Sequence, residues 1–141
     1  GWKWSTSQPY GLSIPKHKWH LLMVTTPACH DQCLDNLNLL TRIHRSLGSN
    51  QKRVDIIHLN LNAKPPKHIN LSAQPTLSLH RLYARQTDWI QPQSTVKTDL
   101  QHGRLFIVDP LGNAMLHYDI PIHAEGLRKD LSRVLRVSHV G

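Results

Sequence analysis

Leu21-Leu22-Met23-Val24 runs without a break into Thr25–Gly48, TTPACHDQCLDNLNLLTRIHRSLG, and this passage decides the fold. The apolar run reads as a core strand, Trp19–Thr25, covered on both faces. The pattern after it reads as a helix over Asp31–Leu47. Leu37, Leu40, Ile43 and Leu47 recur at spacings of three and four and form one apolar stripe. Arg42 and Arg45 lie towards its C-terminus, where positive charge suits the helix dipole. Gly48 suits the left-handed residue that ends a helix. Between strand and helix stands Cys29-His30-Asp31-Gln32-Cys33, which holds both cysteines of the chain. The first turn of a helix has unpaired amide N–H groups, and its dipole favours a thiolate. Cys29 therefore belongs to the loop or first turn, with Cys33 one turn further on. Positions i and i+4 of a helix hold their Cβ atoms about 5–6 Å apart, whereas a disulfide needs about 3.5–4.5 Å. Two fully helical cysteines would suit one shared metal ion. They bridge if Cys29 lies outside the helix. So short a crosslink stabilises by only about 2 kcal/mol. The pair therefore reads as redox-active or metal-binding rather than as a structural staple.

Working outward, Val54–Leu61, VDIIHLNL, is the second core strand. Strand, helix, strand predicts parallel pairing with a right-handed crossover. His20 in the first strand reads as a hydrogen-bonded edge residue, and His58 in the second as a satisfied histidine. Leu79–Ala84 is a short extra strand, and Arg85–Leu100 is irregular or one short helix. Gln74-Pro75-Thr76-Leu77 looks like a cis-proline strand start but comes too early in the chain for that role. Arg104–Asp109 is an apolar strand, followed by Asp109-Pro110-Leu111-Gly112-Asn113 as a turn and by a returning strand, Ala114–Tyr118. Asp109 and Asp119 read as turn residues. Ile122–Val137 closes the chain as a helix, with Leu127, Leu131, Val134 and Leu135 on one face and Arg128, Lys129, Arg133 and Arg136 away from it. The order β-α-β…β-β-α predicts a sheet with helices on both sides.

A strand, a Thr/Pro-containing loop and C-x3-C opening a helix resemble the SCO/SenC family. Leu105–Tyr118, LFIVDPLGNAMLHY, followed by a basic helix, is similar to small SCO-like members from proteobacterial cytochrome oxidase assembly clusters. The resemblance covers about Lys18 to Gly141. It implies an α/β, thioredoxin-like three-layer sandwich over residues 18–141, with a mixed central sheet. It implies copper chaperone or thiol reductase activity in cytochrome c oxidase assembly, with an oxidase subunit or another copper or thiol protein as partner. It also implies a site at the periplasmic face of the inner membrane and an upstream anchor. The family's third copper ligand is a histidine shortly before the last hairpin, a place that His102 occupies here. His30, inside the C-x3-C loop, competes with it for that role.

The chemistry of the residues is consistent with this. Soft thiolates select Cu(I), so Cys29, Cys33 and one imidazole make a plausible three-coordinate site. The same thiols serve a thiol–disulfide oxidoreductase without metal, in which Cys29 attacks a partner disulfide and Cys33 resolves the mixed disulfide. A third reading is a non-catalytic interaction module.

The 141 residues suit one domain. Residues 1–17, with Trp2, Trp4, Tyr10, Pro9 and Pro15, read as an extended arm joining the domain to that anchor. No stretch approaches the roughly 18 apolar residues of a membrane span. Lys and Arg number 17 against 9 acidic residues, with 11 histidines besides and a formal charge of +8. Such a balance suits an anionic membrane surface, an acidic partner or nucleic acid. No nucleic-acid-binding motif is present, and aromatics are too sparse for base stacking, so nucleic acid is set aside.

Overall fold

The computed structural model describes residues 18–26, 31–61, 79–84 and 103–138. Their order is β1 (Trp19–Thr25), α1 (Asp31–Arg45), a 3-10 turn (Gly48–Arg53), β2 (Val54–Leu61), β3 (Leu79–Ala84), β4 (Arg104–Val108), β5 (Ala114–Asp119) and α2 (Ala124–Val137). One sheet results, in the order β3-β2-β1-β4-β5. β1, β2 and β3 are parallel, β4 is antiparallel to β1, and β5 is antiparallel to β4. The expected βαβ unit and closing hairpin are therefore both present.

The side chains of β1 alternate between two buried layers. Leu21 and Met23 join Ile56, Leu105 and Ile107 on one face, packed against Leu37, Leu40 and Ile43 of α1 and Leu127, Leu131 and Leu135 of α2. Leu22 and Val24 join Ile57, Leu59, Phe106 and Val108 on the other. Each fully buried side chain of this kind contributes about 1.5–3 kcal/mol, so the strand with two buried faces anchors the sheet. Both described helices lie against the first face. Among the described residues no helix covers the second face, and the arm at 1–17, the 74–77 segment and the 85–100 stretch lie outside them.

The register corrects one reading. His20 is not at an edge. β1 is the central strand, His20 pairs with Asp55 on one side and Val108 on the other, and it is 7% exposed. Element ends shift for local reasons. α1 stops at Arg45 because the Ser46 N–H reaches both Arg42 O (3.1 Å) and Ile43 O (3.0 Å), tightening the last turn before Gly48 at φ +59°. α2 starts at Ala124 rather than Ile122, since His123 is its N-cap and His123 Nδ1 accepts from the Gly126 N–H at 3.2 Å. Asp109 does serve the turn, taking the N–H groups of Leu111 (3.0 Å) and Asn113 (2.8 Å). Asp119 instead closes β5, where its carboxylate pairs with Arg104 across the hairpin.

Candidate functional site at the C-terminal end of β1

β1 ends at Thr25 and α1 begins at Asp31, so the cysteine loop spans the C-terminal end of the central strand. Cys33 lies in the first turn of α1, is 3% exposed and is disulfide-bonded. Cys29, the one other cysteine of the chain, lies outside the described residues, and so do His30 and His102. Asp31 in the first turn suits the positive end of the helix dipole.

The axial position of Cys33 follows from the other end of its helix. His44, near the C-terminus of α1, holds its Nε2 2.7 Å from Val54 O at the start of β2. The helix rises about 16 Å from His44 back to Cys33 at roughly 1.5 Å per residue. β2 covers a similar length by Leu59, at about 3.3 Å per residue. Cys33 therefore stands level with the last residues of β2, His58 to Asn60.

His58 faces the helix side of the sheet, in line with Val54 and Ile56. It is 6% exposed, and its Nε2 lies 2.8 Å from Thr25 Oγ1, which ties the ends of β1 and β2 together. Its Nδ1 has no hydrogen-bond partner among the described residues, and neither has the buried Thr26 Oγ1. Burial, and then the positive charge of Arg81, lower the His58 pKa from 6.5 to about 4. The ring is neutral at physiological pH.

Gly103 brings the segment ahead of β4 to the same place. Its φ is +82°, and a Cβ there would stand 3.1 Å from Val24 O, 3.3 Å from Thr25 Cγ2 and 2.8 Å from Ile120 Cδ1. Only glycine lets this backbone lie directly on the end of β1. The residue before it in sequence is His102. Asn36 completes the scaffold. It is 4% exposed, its Oδ1 accepts from Ile122 N at 2.8 Å, and its Nδ2 donates to Gln32 O at 2.6 Å. It thus fastens the first turns of α1 to the segment that leads into α2. Sequence reading overlooked both Asn36 and Gly103. The polar Asn36 beside the Leu37 stripe was the available signal for one, and Gly between His102 and a core strand for the other.

Among the described residues no group of three or more His, Cys, Asp or Glu side chains is placed to hold a metal. The described partners of a C-x3-C site are Cys33 alone and the neutral His58 one strand away.

A mixed five-stranded sheet, a helix starting at the C-terminal end of the central strand with a disulfide-bonded cysteine in its first turn, and a closing ββα unit define a thioredoxin-like protein. The chain belongs to the family described as the transmembrane-like, thioredoxin-like C-terminal domain, which it matches over residues 19–138. No curated protein matches it by sequence. Among solved structures it is similar to yeast Sco1 with copper bound, at a TM-score of 0.65 and 12% identity, covering 87% of this chain and 81% of that one. It is similar to Arabidopsis thaliana ScoI with copper bound, at 0.62 and 13% identity, covering 87% of each chain. A putative thiol:disulfide interchange protein DsbE from Chlorobium tepidum matches at 0.59 and 15% identity, covering 85% of this chain and 82% of that one. Identities this low speak to the fold.

Proposed function

We propose that the chain handles Cu(I) through Cys29 and Cys33, with His102 as third ligand and His30 as its alternate, in the maturation of cytochrome c oxidase at the periplasmic face of the inner membrane. The observation that carries this reading is the convergence at one end of the sheet. The exit of β1, the first turn of α1 with Cys33, and Gly103, one residue from His102, meet there. Two thiolates supply softness and most of the affinity, and an imidazole completes a three-coordinate site. The thiols lose their protons on binding, so copper is released on acidification. Copper here is cargo, passed to a protein with softer or more numerous ligands. The cytochrome oxidase recipient comes from the family resemblance.

The disulfide on Cys33 and the likeness to DsbE favour a second reading, thiol–disulfide exchange. The reduced dithiol would attack a partner's disulfide through Cys29, and Cys33 would displace the mixed disulfide. The chain loses two protons and two electrons, and the partner becomes a dithiol.

One experiment separates them. Reduced protein is titrated with Cu(I), desalted against a mild competing chelator and assayed for metal. The copper reading expects one ion per chain, none after Cys33→Ala or Cys29→Ala, and weaker retention after His102→Ala. If His30→Ala weakens retention and His102→Ala does not, the third ligand is His30. If the parent retains no copper yet reduces a disulfide substrate, the exchange reading replaces the copper one.

A further inference from the structure

The two helices run the same way along the sheet, and charge is sorted along them. Their N-termini lie at the cysteine end, where Asn36 of α1 holds Ile122 ahead of α2. Their C-termini lie at the other end, where His44 meets Val54 O and Arg53 Nη1 donates to Leu135 O at 2.9 Å. The exposed carboxylates Asp31 and Asp35 sit at the cysteine end, and Asp119 and Glu125 lie near it, ion-paired with Arg104 and Arg128. The exposed cations Arg42, Arg45, Lys52, Arg133 and Arg136 sit at the opposite end, with Arg81 of β3, level with His58, as the exception at the cysteine end. There Asp55 is buried and ion-paired with Lys18, and Asp109 is spent on its own turn. Asp130 accepts from the Tyr118 hydroxyl at 2.7 Å. A cleft of about 640 Å³ beside α2 continues the basic surface, with Arg128, Lys129, Arg133 and Arg136 against Glu125 and Asp130.

Helix dipoles favour this sorting, by up to about 1 kcal/mol per charge in the first and last turns. They do not account for Lys52, which belongs to neither helix, nor for Lys129 and Arg128 at mid-helix. The polypeptide also enters the sheet at the basic end, since β1 starts there at Trp19 beside Val54. Whatever precedes β1 is joined to the domain on this side. The matched family is described as transmembrane-like.

We infer that the basic end is a docking surface for an anionic phospholipid bilayer. It would hold the domain upright, with the cysteine end turned away from the lipid towards its partner. Phosphate headgroups meet Arg45, Lys52, Arg133 and Arg136, while the carboxylates at the cysteine end are repelled by the same surface. This orientation is independent of whether the cysteines carry copper or exchange disulfides.

The test is co-sedimentation of the full chain with vesicles of phosphatidylcholine alone and with added phosphatidylglycerol, at low and high salt. Binding to anionic vesicles that salt releases is expected. Each Lys or Arg near an anionic surface contributes about fivefold in affinity, so Arg45→Gln/Arg136→Gln should lose roughly 30-fold. Adding Asp31→Asn/Asp35→Asn restores the net charge but not the basic end, and affinity should stay low. Recovery to the parental value would show that net charge alone binds, and would overturn the inference. So would equal binding to both vesicles, or none, the result expected if an acidic protein is the true occupant. A footprint on the unaltered chain guards against misfolded variants. Vesicle-bound protein should show slowed acetylation of Lys52, and an unchanged rate at Lys52 would also overturn the inference.

Discussion

Each end of the central sheet holds a buried histidine and a left-handed glycine, and the two pairs are built on opposite terms. At the basic end, the Nε2 of His44 lies 2.7 Å from Val54 O and 3.0 Å from Gln51 O. Carbonyls only accept, so this nitrogen carries its proton and serves both. Gly48 beside it, at φ +59°, has nothing within 4 Å of an added Cβ. At the cysteine end, His58 shares one ring nitrogen with Thr25 and leaves the other without a partner among the described residues. Gly103 there is crowded by Val24 O, Thr25 and Ile120. The His44 and Gly48 pair is satisfied and open. The His58 and Gly103 pair is close-packed and leaves a ring nitrogen without a partner among the described residues.

The sharpest way to break this comparison is Gly103→Ala. The left-handed backbone alone costs an L residue about 1–2 kcal/mol, and forcing a methyl into close-packed surroundings adds about 1–3 kcal/mol. The Val24 carbonyl is strand backbone and cannot yield without disturbing β1. We expect a loss of roughly 2–5 kcal/mol by denaturant unfolding, together with a changed rate of Cys33 disulfide reduction. A stable variant with parental reduction kinetics would show that the end of β1 is not packed as tightly as these distances say.

His58 makes the next test, through pH. Its folded pKa, about 4, lies below the ordinary histidine value of 6.5. Between these values the unfolded chain binds a proton that the folded one refuses. Stability therefore rises with pH across this window. It is complete above pH 6.5, falls as the pH drops, and stops falling on this account below about 4. The shift corresponds to about 3 kcal/mol. Unfolding free energies measured across the window should show that slope in the parent and a flatter one in His58→Gln. Equal slopes would mean that burial does not hold this imidazole neutral.

The contrast also marks what the sequence made legible. Periodicity carried the elements. The β1 and β2 ranges agree with their reading because LLMV and VDIIHLNL have both faces buried, and the β3 range agrees as well. The apolar stripes at Leu37, Leu40 and Ile43 and at Leu127, Leu131 and Leu135 all reach the core. Helix ends were less legible, since the Ser46 turn and the His123 cap depend on single hydrogen bonds. His20 was misplaced because strand position in a sheet is a property of partners far away in the chain. Of the candidate site, the placement of Cys33 at a strand-to-helix junction followed from pattern, and the proposal of copper came from the likeness of C-x3-C to a known family. Cys29, His30 and His102 lie outside the described residues. The supports of the site, Asn36 on Ile122 and Gly103 on Val24, join positions distant in sequence, and no local pattern announces them.

The smallest effect should come from Gly48→Ala, and it sharpens the comparison because only one term is in play. Gly48 and Gly103 share a positive φ, at +59° and +82°, but an added Cβ at Gly48 meets nothing within 4 Å. The left-handed cost remains, partly offset because alanine also restricts the unfolded chain by about 0.4–1 kcal/mol. A net loss of about 1 kcal/mol is expected by denaturant unfolding, with Cys33 reduction kinetics unchanged. The difference between the two alanine variants then measures crowding at the cysteine end, freed from the backbone term that both share. Should Gly48→Ala cost as much as Gly103→Ala, the left-handed conformation accounts for both losses. The tight seat of Gly103 on Val24 would then contribute nothing to holding the two segments of the site together.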